Sequence, residues 1–334
     1  MKKLKVIQIG IGHDHARDAA KRLATRNDVE FAGLVVLPED TDVPKKWYET
    51  ELTEIPRLTL EEALAIPDLD AVFVETADKF LTKYATRCVE RGLPVQMDKP
   101  GSQNEEEFDR MLDLAKEKRL PFHLGYMYRY NPAVLYSRKL KEEGKLGKIR
   151  YIEANMSCIH NEDKRRWLAD YRGGMLYFLG CHLVDLCVMF QGEPKKVYAF
   201  NRSTAENVGE DMGTALLEYD TGVSVVRTTA VEHGGYLRRR VLIVGEKGSV
   251  YLDPTEASVP GTSLQTTNMF VSHENELDWF AEPEKTAFPP YDRYNAMFDE
   301  FFSIVRGEIE NPYSYEYEKL VHRVLMRACG GNDQ

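Results

Sequence analysis

Three short stretches of this 334-residue sequence gather residue types that can do chemistry. The first is Gly10-Ile11-Gly12-His13-Asp14-His15, where an apolar run ends in two glycines and two histidines follow. When a strand passes through Gly-x-Gly into a helix, the first glycine permits a tight turn. The second lets a diphosphate approach the backbone, and the helix N-terminus attracts its charge. Gly10, Ile11 and Gly12 fit those roles as cofactor-binding residues, while His15 stands where the fingerprint has its third glycine and must point aside or push the helix away. Imidazoles are also common metal ligands. Residues two apart in a first helical turn diverge by about 200°, however, so His13 and His15 are expected to flank a cofactor diphosphate, and no metal site is expected. The second stretch, Asp98-Lys99-Pro100, follows the apolar Pro94–Met97. The third is His182-Leu183-Val184-Asp185, which places a histidine and a carboxylate on one helical face and makes His182 a candidate proton acceptor or donor.

These residues need a frame. Residues 4–9 and 30–37 read as buried strands on either side of a helix over 14–26, a βαβ unit. Strands at 70–75, 94–97 and 121–126 alternate with helices at 58–65, 81–91 and 105–118, which implies a parallel sheet covered on both faces. The expected cofactor edge therefore includes Thr76, Asp98 and Lys99, just past strand ends. After Asn131-Pro132 and one helix, the pattern changes to strands at 148–157, 196–201, 213–219, 222–231, 237–244 and 248–252, joined by tight turns into a mostly antiparallel sheet. Helices are expected at 176–190, 291–306 and 315–328, and residues 253–290 as a long surface excursion. The fold class is thus an α/β Rossmann-type domain, residues 1–124, followed by an α+β domain with a large open sheet, residues 125–334.

The second test of a dinucleotide site is an acid near the end of the second strand, where it meets the adenosine ribose. Leu37 occupies that position, leaving Glu39 or Asp40 as candidates, while Lys45 and Lys46 could meet a 2′-phosphate. Both NAD and NADP stay open. The formal charge of −10, from 44 Lys and Arg against 54 Asp and Glu, argues against a nucleic acid or an anionic membrane as partner. No apolar stretch approaches the roughly 20 residues of a membrane helix, and no signal peptide is evident. Five scattered cysteines without a CxxC pair read as reduced thiols, so a cytoplasmic protein with a small-molecule substrate is expected.

Met97-Asp98-Lys99-Pro100 resembles the Glu-Lys-Pro motif of the Gfo/Idh/MocA family of sugar and polyol dehydrogenases, with Asp98 in place of the glutamate. Gly125-Tyr126-Met127-Tyr128-Arg129-Tyr130-Asn131-Pro132 is similar to that family's passage into the second domain, and Gly144-Lys145-Leu146-Gly147-Lys148-Ile149 to its Gly-x-Ile-Gly-x-Ile turn. Gly173-Gly174 through Gly180-Cys181-His182 and Asp185 matches its Gly-Gly…Gly-x-His-x-x-Asp segment. The resemblance implies NAD or NADP as cofactor, Lys99 and His182 flanking a substrate hydroxyl, and homodimers or homotetramers formed through the C-terminal sheet. Lys99 would polarise the hydroxyl and His182 would exchange its proton.

One departure stands out. Where such dehydrogenases commonly carry an aspartate four residues before the histidine, this chain has Phe178, which can neither accept a proton nor hydrogen-bond a hydroxyl. Tyr177, Asp185 or His160 could supply the missing polar group. Trp167 and Arg172, in a loop rich in charge, are candidates for a sugar platform, and Tyr126 and Arg129 complete the expected substrate-binding set. The leading expectation is a dehydrogenase or reductase interconverting a secondary hydroxyl and a ketone on a sugar or cyclitol. Alternatives are glycoside cleavage assisted by transient oxidation with tightly held NAD, and a noncatalytic nucleotide-binding regulator.

Overall fold

A computed structural model describes residues 2–40, 47–274 and 280–330. The chain divides into two compact units, Met1–Tyr126 with Met297–Lys319, and Met127–Ala296 with Leu320–Gln334. The return of 297–319 to the first unit has no counterpart in the sequence reading, which placed everything after 124 in one domain.

The first unit holds strands β1 (Leu4–Ile9), β2 (Val29–Val35), β3 (Arg57–Leu58), β4 (Ala71–Val74), β5 (Val95–Met97) and β6 (Phe122–Leu124). Helices α1 (Ala16–Thr25), α2 (Trp47–Thr50), α3 (Leu60–Leu64), α4 (Leu81–Glu90) and α5 (Glu105–Glu117) lie between them. All strands pair in parallel in the order β3-β2-β1-β4-β5-β6, the doubly wound arrangement of a Rossmann fold. The strand order reverses between β1 and β4, so the carboxyl ends of β1, β4 and β5 border the crevice where such sheets take ligands. The apolar runs are buried throughout, as strands covered on both faces must be, with Val6, Ile7, Ile9, Val72, Phe73 and Val95 fully enclosed. Phe298, Phe301 and Phe302 pack their rings 4.8, 5.5 and 5.7 Å from Phe73, which explains why this late segment joins the first sheet.

The second unit opens with α6 (Pro132–Glu142), capped by the Asn131 side chain on the Ala133 and Val134 amides. It continues through β7 (Ile149–Asn155), α7 (Glu162–Trp167), α8 (Cys181–Gln191), β8 (Lys196–Arg202), β9 (Met212–Tyr219), β10 (Gly222–Thr229), β11 (Arg240–Gly245) and β12 (Gly248–Leu252). Then come β13 (Ala257–Ser258), β14 (Gln265–Thr266), β15 (Asn268–His273) and β16 (Glu284–Ala287). Two helices close the chain, α9 (Asn295–Val305) and α10 (Tyr315–Ala328). Eight strands form one sheet, β16-β15-β12-β11-β7-β10-β9-β8, antiparallel except where β7 meets β10. The expectation of an irregular excursion over 253–290 is corrected here: β15 and β16 extend the large sheet, and β13 pairs with β14. β13 and β14 escaped notice because two-residue strands show no periodicity, and β16 because it is an exposed edge strand.

The Phe73 cluster yields a direct test of the first unit's core. Phe73→Ala is expected to lower unfolding free energy by about 3–5 kcal/mol in a denaturant titration, because three rings lose the same partner.

Candidate active site

At the carboxyl edge of the first sheet, β1 turns through Gly10-Ile11-Gly12 into a bend over 13–15 before α1 begins at Ala16. Gly10 sits at φ +93°, and a Cβ there would lie 2.5 Å from the Thr76 backbone past β4. At Gly12 a Cβ would meet the Asp40 carboxylate at 2.4 Å and the Ala77 nitrogen at 2.7 Å. Glycine is therefore required at both positions, and part of the reason is protein packing.

Asp40 explains the close fit. Its carboxylate accepts the Ile11 N–H at 2.9 Å, the Leu37 N–H at 3.2 Å and the Thr76 hydroxyl at 2.8 Å, latching the turn to the ends of β2 and β4. Burial pushes its pKa up, against the pull of these donors. The expected roles of Glu39 and Thr76 change accordingly. The Thr76 hydroxyl serves Asp40, and the Glu39 carboxylate takes the Lys83 ammonium and the Tyr84 hydroxyl, at 2.6 and 2.8 Å. Lys45 and Lys46 lie outside the described residues. For a dinucleotide, the strand-turn-helix topology and the glycines fit, whereas the Ile11 amide is shared with an internal carboxylate.

The bend overturns the expected divergence of the two histidines. Because neither lies inside α1, both rings swing toward Asp98: His13 Nδ1 is 3.1 Å and His15 Nδ1 2.9 Å from the same Asp98 oxygen. The ring centroids are 4.7 Å apart. His13 also reaches Asp78 through Nε2 at 3.3 Å, and Glu75 lies 3.9 Å from Nδ1. Burial alone would lower the His13 pKa, but Asp98 and Asp78 override it and raise it to about 10. For His15 burial dominates and lowers the pKa. Burial also works against ionised Asp98, yet the two histidines hold it well below the ordinary carboxylate range. Glu75, buried beside Asp98, is pushed well above it. The other Asp98 oxygen accepts the Lys99 N–H at 2.6 Å, and the Lys99 side chain is 1% exposed ahead of a cis proline. Tyr126 is fully buried at the end of this unit.

In the second unit, Leu176–Gly180 forms a π-turn leading into α8, an irregularity frequent at functional sites. It carries Tyr177 and Phe178 immediately before His182. The ring of His182 is buried and makes an edge contact with Tyr128 at 5.0 Å. Asp185 does not show the expected orienting bond to His182. Its carboxylate receives Arg129 through Nε at 3.0 Å to both oxygens and through Nη2 at 2.7 Å, a fully buried pair. Arg129, expected at the substrate, is thus engaged in holding α8. Phe178 lies against Trp167 at 5.3 Å and His160 at 6.0 Å, with the Lys164 ammonium over both the Trp167 and Phe178 rings at 3.6 and 4.3 Å. Tyr177 stacks on Tyr171 at 5.6 Å, and Arg172 is exposed. Sequence reasoning missed Asp40 as the latch, Glu75 and Asp78 as parts of the histidine cluster, and Lys164 as part of the aromatic wall. For Glu75 the signal was available: it is an acid directly after an apolar strand, at the ligand edge of a parallel sheet.

Residues 4–126 match a model described as oxidoreductase family, NAD-binding Rossmann fold, and residues 134–251 match the GFO/IDH/MocA C-terminal domain. The chain belongs to the Gfo/Idh/MocA family. It is 26% identical over 166 residues to D-xylose 1-dehydrogenase (NADP+) 2 of Haloferax volcanii, covering 49% of this chain and 51% of that protein. To scyllo-inositol 2-dehydrogenase (NADP+) IolW of Bacillus subtilis it is 29% identical over 179 residues, 53% and 48% of the two chains. The matched segments thus span about half the length of these curated relatives. Among solved structures, GenD2 from gentamicin A biosynthesis in complex with NAD superposes with a TM-score of 0.77 at 20% identity, covering 99% of this chain and 96% of that one. UDP-N-acetylglucosamine 3-dehydrogenase GnnA of Acidithiobacillus ferrooxidans does so with 0.76 at 20%, covering 98% and 96%. Both share the fold. No helix among the described residues is long and apolar enough to cross a membrane.

The latch can be separated from a ribose ligand by substitution. Asp40→Ala is expected to cost about 1–3 kcal/mol of stability through lost buried hydrogen bonds, while NAD+ affinity measured by calorimetry stays equal or improves as the Ile11 amide is released. A tenfold loss of affinity would instead assign Asp40 to the cofactor.

Proposed function

We propose that this protein is an NAD(P)-dependent oxidoreductase interconverting a secondary hydroxyl and a ketone on a sugar, cyclitol or related derivative. The observation that carries this reading is Lys99, an amine buried to 1% exposure at the end of β5, on the sheet edge that also holds the Gly10-Gly12 turn. A buried ammonium at a ligand crevice is costly unless negative charge forms or rests beside it. The relatives named above are a D-xylose and a scyllo-inositol dehydrogenase, which supports a polyhydroxylated ring as the substrate class.

In this reading Gly10, Ile11 and Gly12 hold the dinucleotide diphosphate, and the bound nicotinamide supplies the hydride acceptor or donor. Lys99 polarises the reacting oxygen and favours its alkoxide form. His182 takes up or returns the hydroxyl proton. Trp167 and Phe178 offer an apolar face against which a sugar ring or its substituent can lie, with His160, Tyr177 and Arg172 as polar neighbours. Phe178 is part of a packed aromatic wall, which supports a site reshaped for its substrate over one that merely lost an acid. Exposed Phe200 and Met212, at 52% and 41%, lie on β8 and β9 of the large sheet and support its pairing with a second copy. A cytoplasmic location completes the proposal.

The test is a panel of sugars and cyclitols with NAD+ and NADP+, followed at the reduced-nicotinamide absorbance band. Silence across a broad panel, with cofactor bound, would reject the reading. Lys99→Ala is expected to lower kcat by about 10²–10³-fold with cofactor affinity retained. Phe178→Asp is expected to reduce activity and the thermal midpoint together, because a short carboxylate forfeits the ring packing against Trp167, Leu168 and Met175, a loss that the nearby Lys164 ammonium offsets only in part. Improved polyol oxidation in Phe178→Asp would show the aromatic to be incidental.

A further inference from the structure

Outside the roles assigned above, the first unit contains a group of side chains whose acceptor atoms converge. His13 Nδ1 and His15 Nδ1 face one Asp98 oxygen at 3.1 and 2.9 Å, and Glu75 Oε2 lies 3.9 Å from His13 Nδ1. These three ligand types, His13, His15 and Asp98, offer atoms all within 4.8 Å of one another. The backbone N–H of His15 points at His13 Nδ1 from 3.2 Å, so this nitrogen is used as an acceptor while it also faces two carboxylates. Glu75 Oε2 is buried with no hydrogen-bond donor. A single cation among the His13, His15 and Asp98 atoms would draw both imidazole lone pairs and the carboxylate oxygen to one centre, with the His15 N–H released from Nδ1 and the Glu75 carboxyl close by.

We infer that His13 Nδ1, His15 Nδ1 and Asp98 Oδ2 form a three-ligand site for one divalent transition-metal ion of the zinc type. With bonds of about 2.0–2.1 Å, tetrahedral zinc separates its ligand atoms by about 3.3 Å, close to the 3.1 and 2.9 Å from the Asp98 oxygen to the two imidazole nitrogens. The surroundings match what metal ligands need. His13 Nε2 is 3.3 Å from buried Asp78, the carboxylate–histidine pairing that fixes a ligating ring, and the second Asp98 oxygen is held by the Lys99 N–H. Two imidazoles with one carboxylate suit zinc, and disfavour calcium and magnesium, which prefer all-oxygen shells. His15 is the one partly open ligand, its side chain 16% exposed against 0% for His13 and 4% for Asp98, so the ion has a side from which to arrive. The sequence argument against a metal assumed both histidines inside a helical turn, and α1 starts after them.

The experiment uses untagged full-length protein, stripped with EDTA and titrated with Zn2+ and Co2+ in the absence of nicotinamide cofactor, so that its outcome is independent of the oxidoreductase reading. One Zn2+ per chain by elemental analysis is expected, with a thermal midpoint that rises on Zn2+ addition and falls with chelator, and a Co2+ absorption spectrum of tetrahedral type. His15→Ala, at the partly open ligand, is expected to weaken Zn2+ binding by at least about 100-fold. Asp78→Asn is expected to weaken it about 10–100-fold while keeping one ion per chain. Should His15→Ala fail to fold by circular dichroism, the isosteric Asp98→Asn carries the same test. Wild-type protein that binds no Zn2+, or affinity unchanged in both His15→Ala and Asp98→Asn, would overturn the site in favour of a purely protonated histidine–carboxylate cluster.

Discussion

The ligand edge of the first unit depends on one buried carboxylate. Removing Asp98 from water costs several kcal/mol, and what offsets that cost also builds the site: the Lys99 N–H at 2.6 Å on one oxygen, and two imidazoles within 3.1 Å on the other. In meeting Asp98, the histidines force the chain over 13–15 into a bend and delay α1 until Ala16. The glycine turn after β1 and the lysine after β5 are therefore parts of one electrostatic assembly. Glu75 completes it: burial, and then the neighbouring Asp98, push its carboxyl well above the ordinary carboxylate range.

A second carboxylate makes the turn rigid before any ligand arrives. Fold analogy leads one to look for an acid that reaches outward to a ribose near the end of β2. Asp40 reaches inward instead, and its three bonds join β2, the glycine turn and the residue after β4. Glu39, next to it, is held by Lys83 and Tyr84. Both acids at the end of β2 are thus engaged by protein groups of this edge.

The βαβ alternation was legible because parallel strands buried on both faces read as nearly continuous apolar runs, as in Ala71–Val74 or Val6–Ile9, where Gln8 alone interrupts. Helices such as α6, with Asn131 as cap and Pro132 in the first turn, were equally plain. What sequence could not carry was direction. A shift of two residues in the start of α1 decides whether His13 and His15 diverge or converge, and a helix start is set by tertiary partners such as Asp98, 83 positions away from His15. Asp185 shows the same limit: helical spacing put it on the face of His182, but a guanidinium from Arg129, 56 positions earlier, claims its carboxylate. Local pattern specifies which side chains share a face, and only the packed fold specifies which of several partners each one takes.

That distinction bears on the second unit's departure from its family. The Arg129–Asp185 pair is bidentate and sealed from water, so truncating either partner would strand a buried charge, and the pair fixes α8 and with it the His182 backbone. Histidine placement is thus independent of whatever stands four residues earlier. Released from a positioning duty, that residue can be chosen for shape, and Phe178 is packed by Leu168, Met175 and Ala230 on one side and by Trp167 and the Lys164 ammonium on the other. An aromatic wall backed by a cation presents a flat apolar surface, and position 178 can be given over to that packing because the helix bearing the histidine is held from its other side by the Arg129–Asp185 pair.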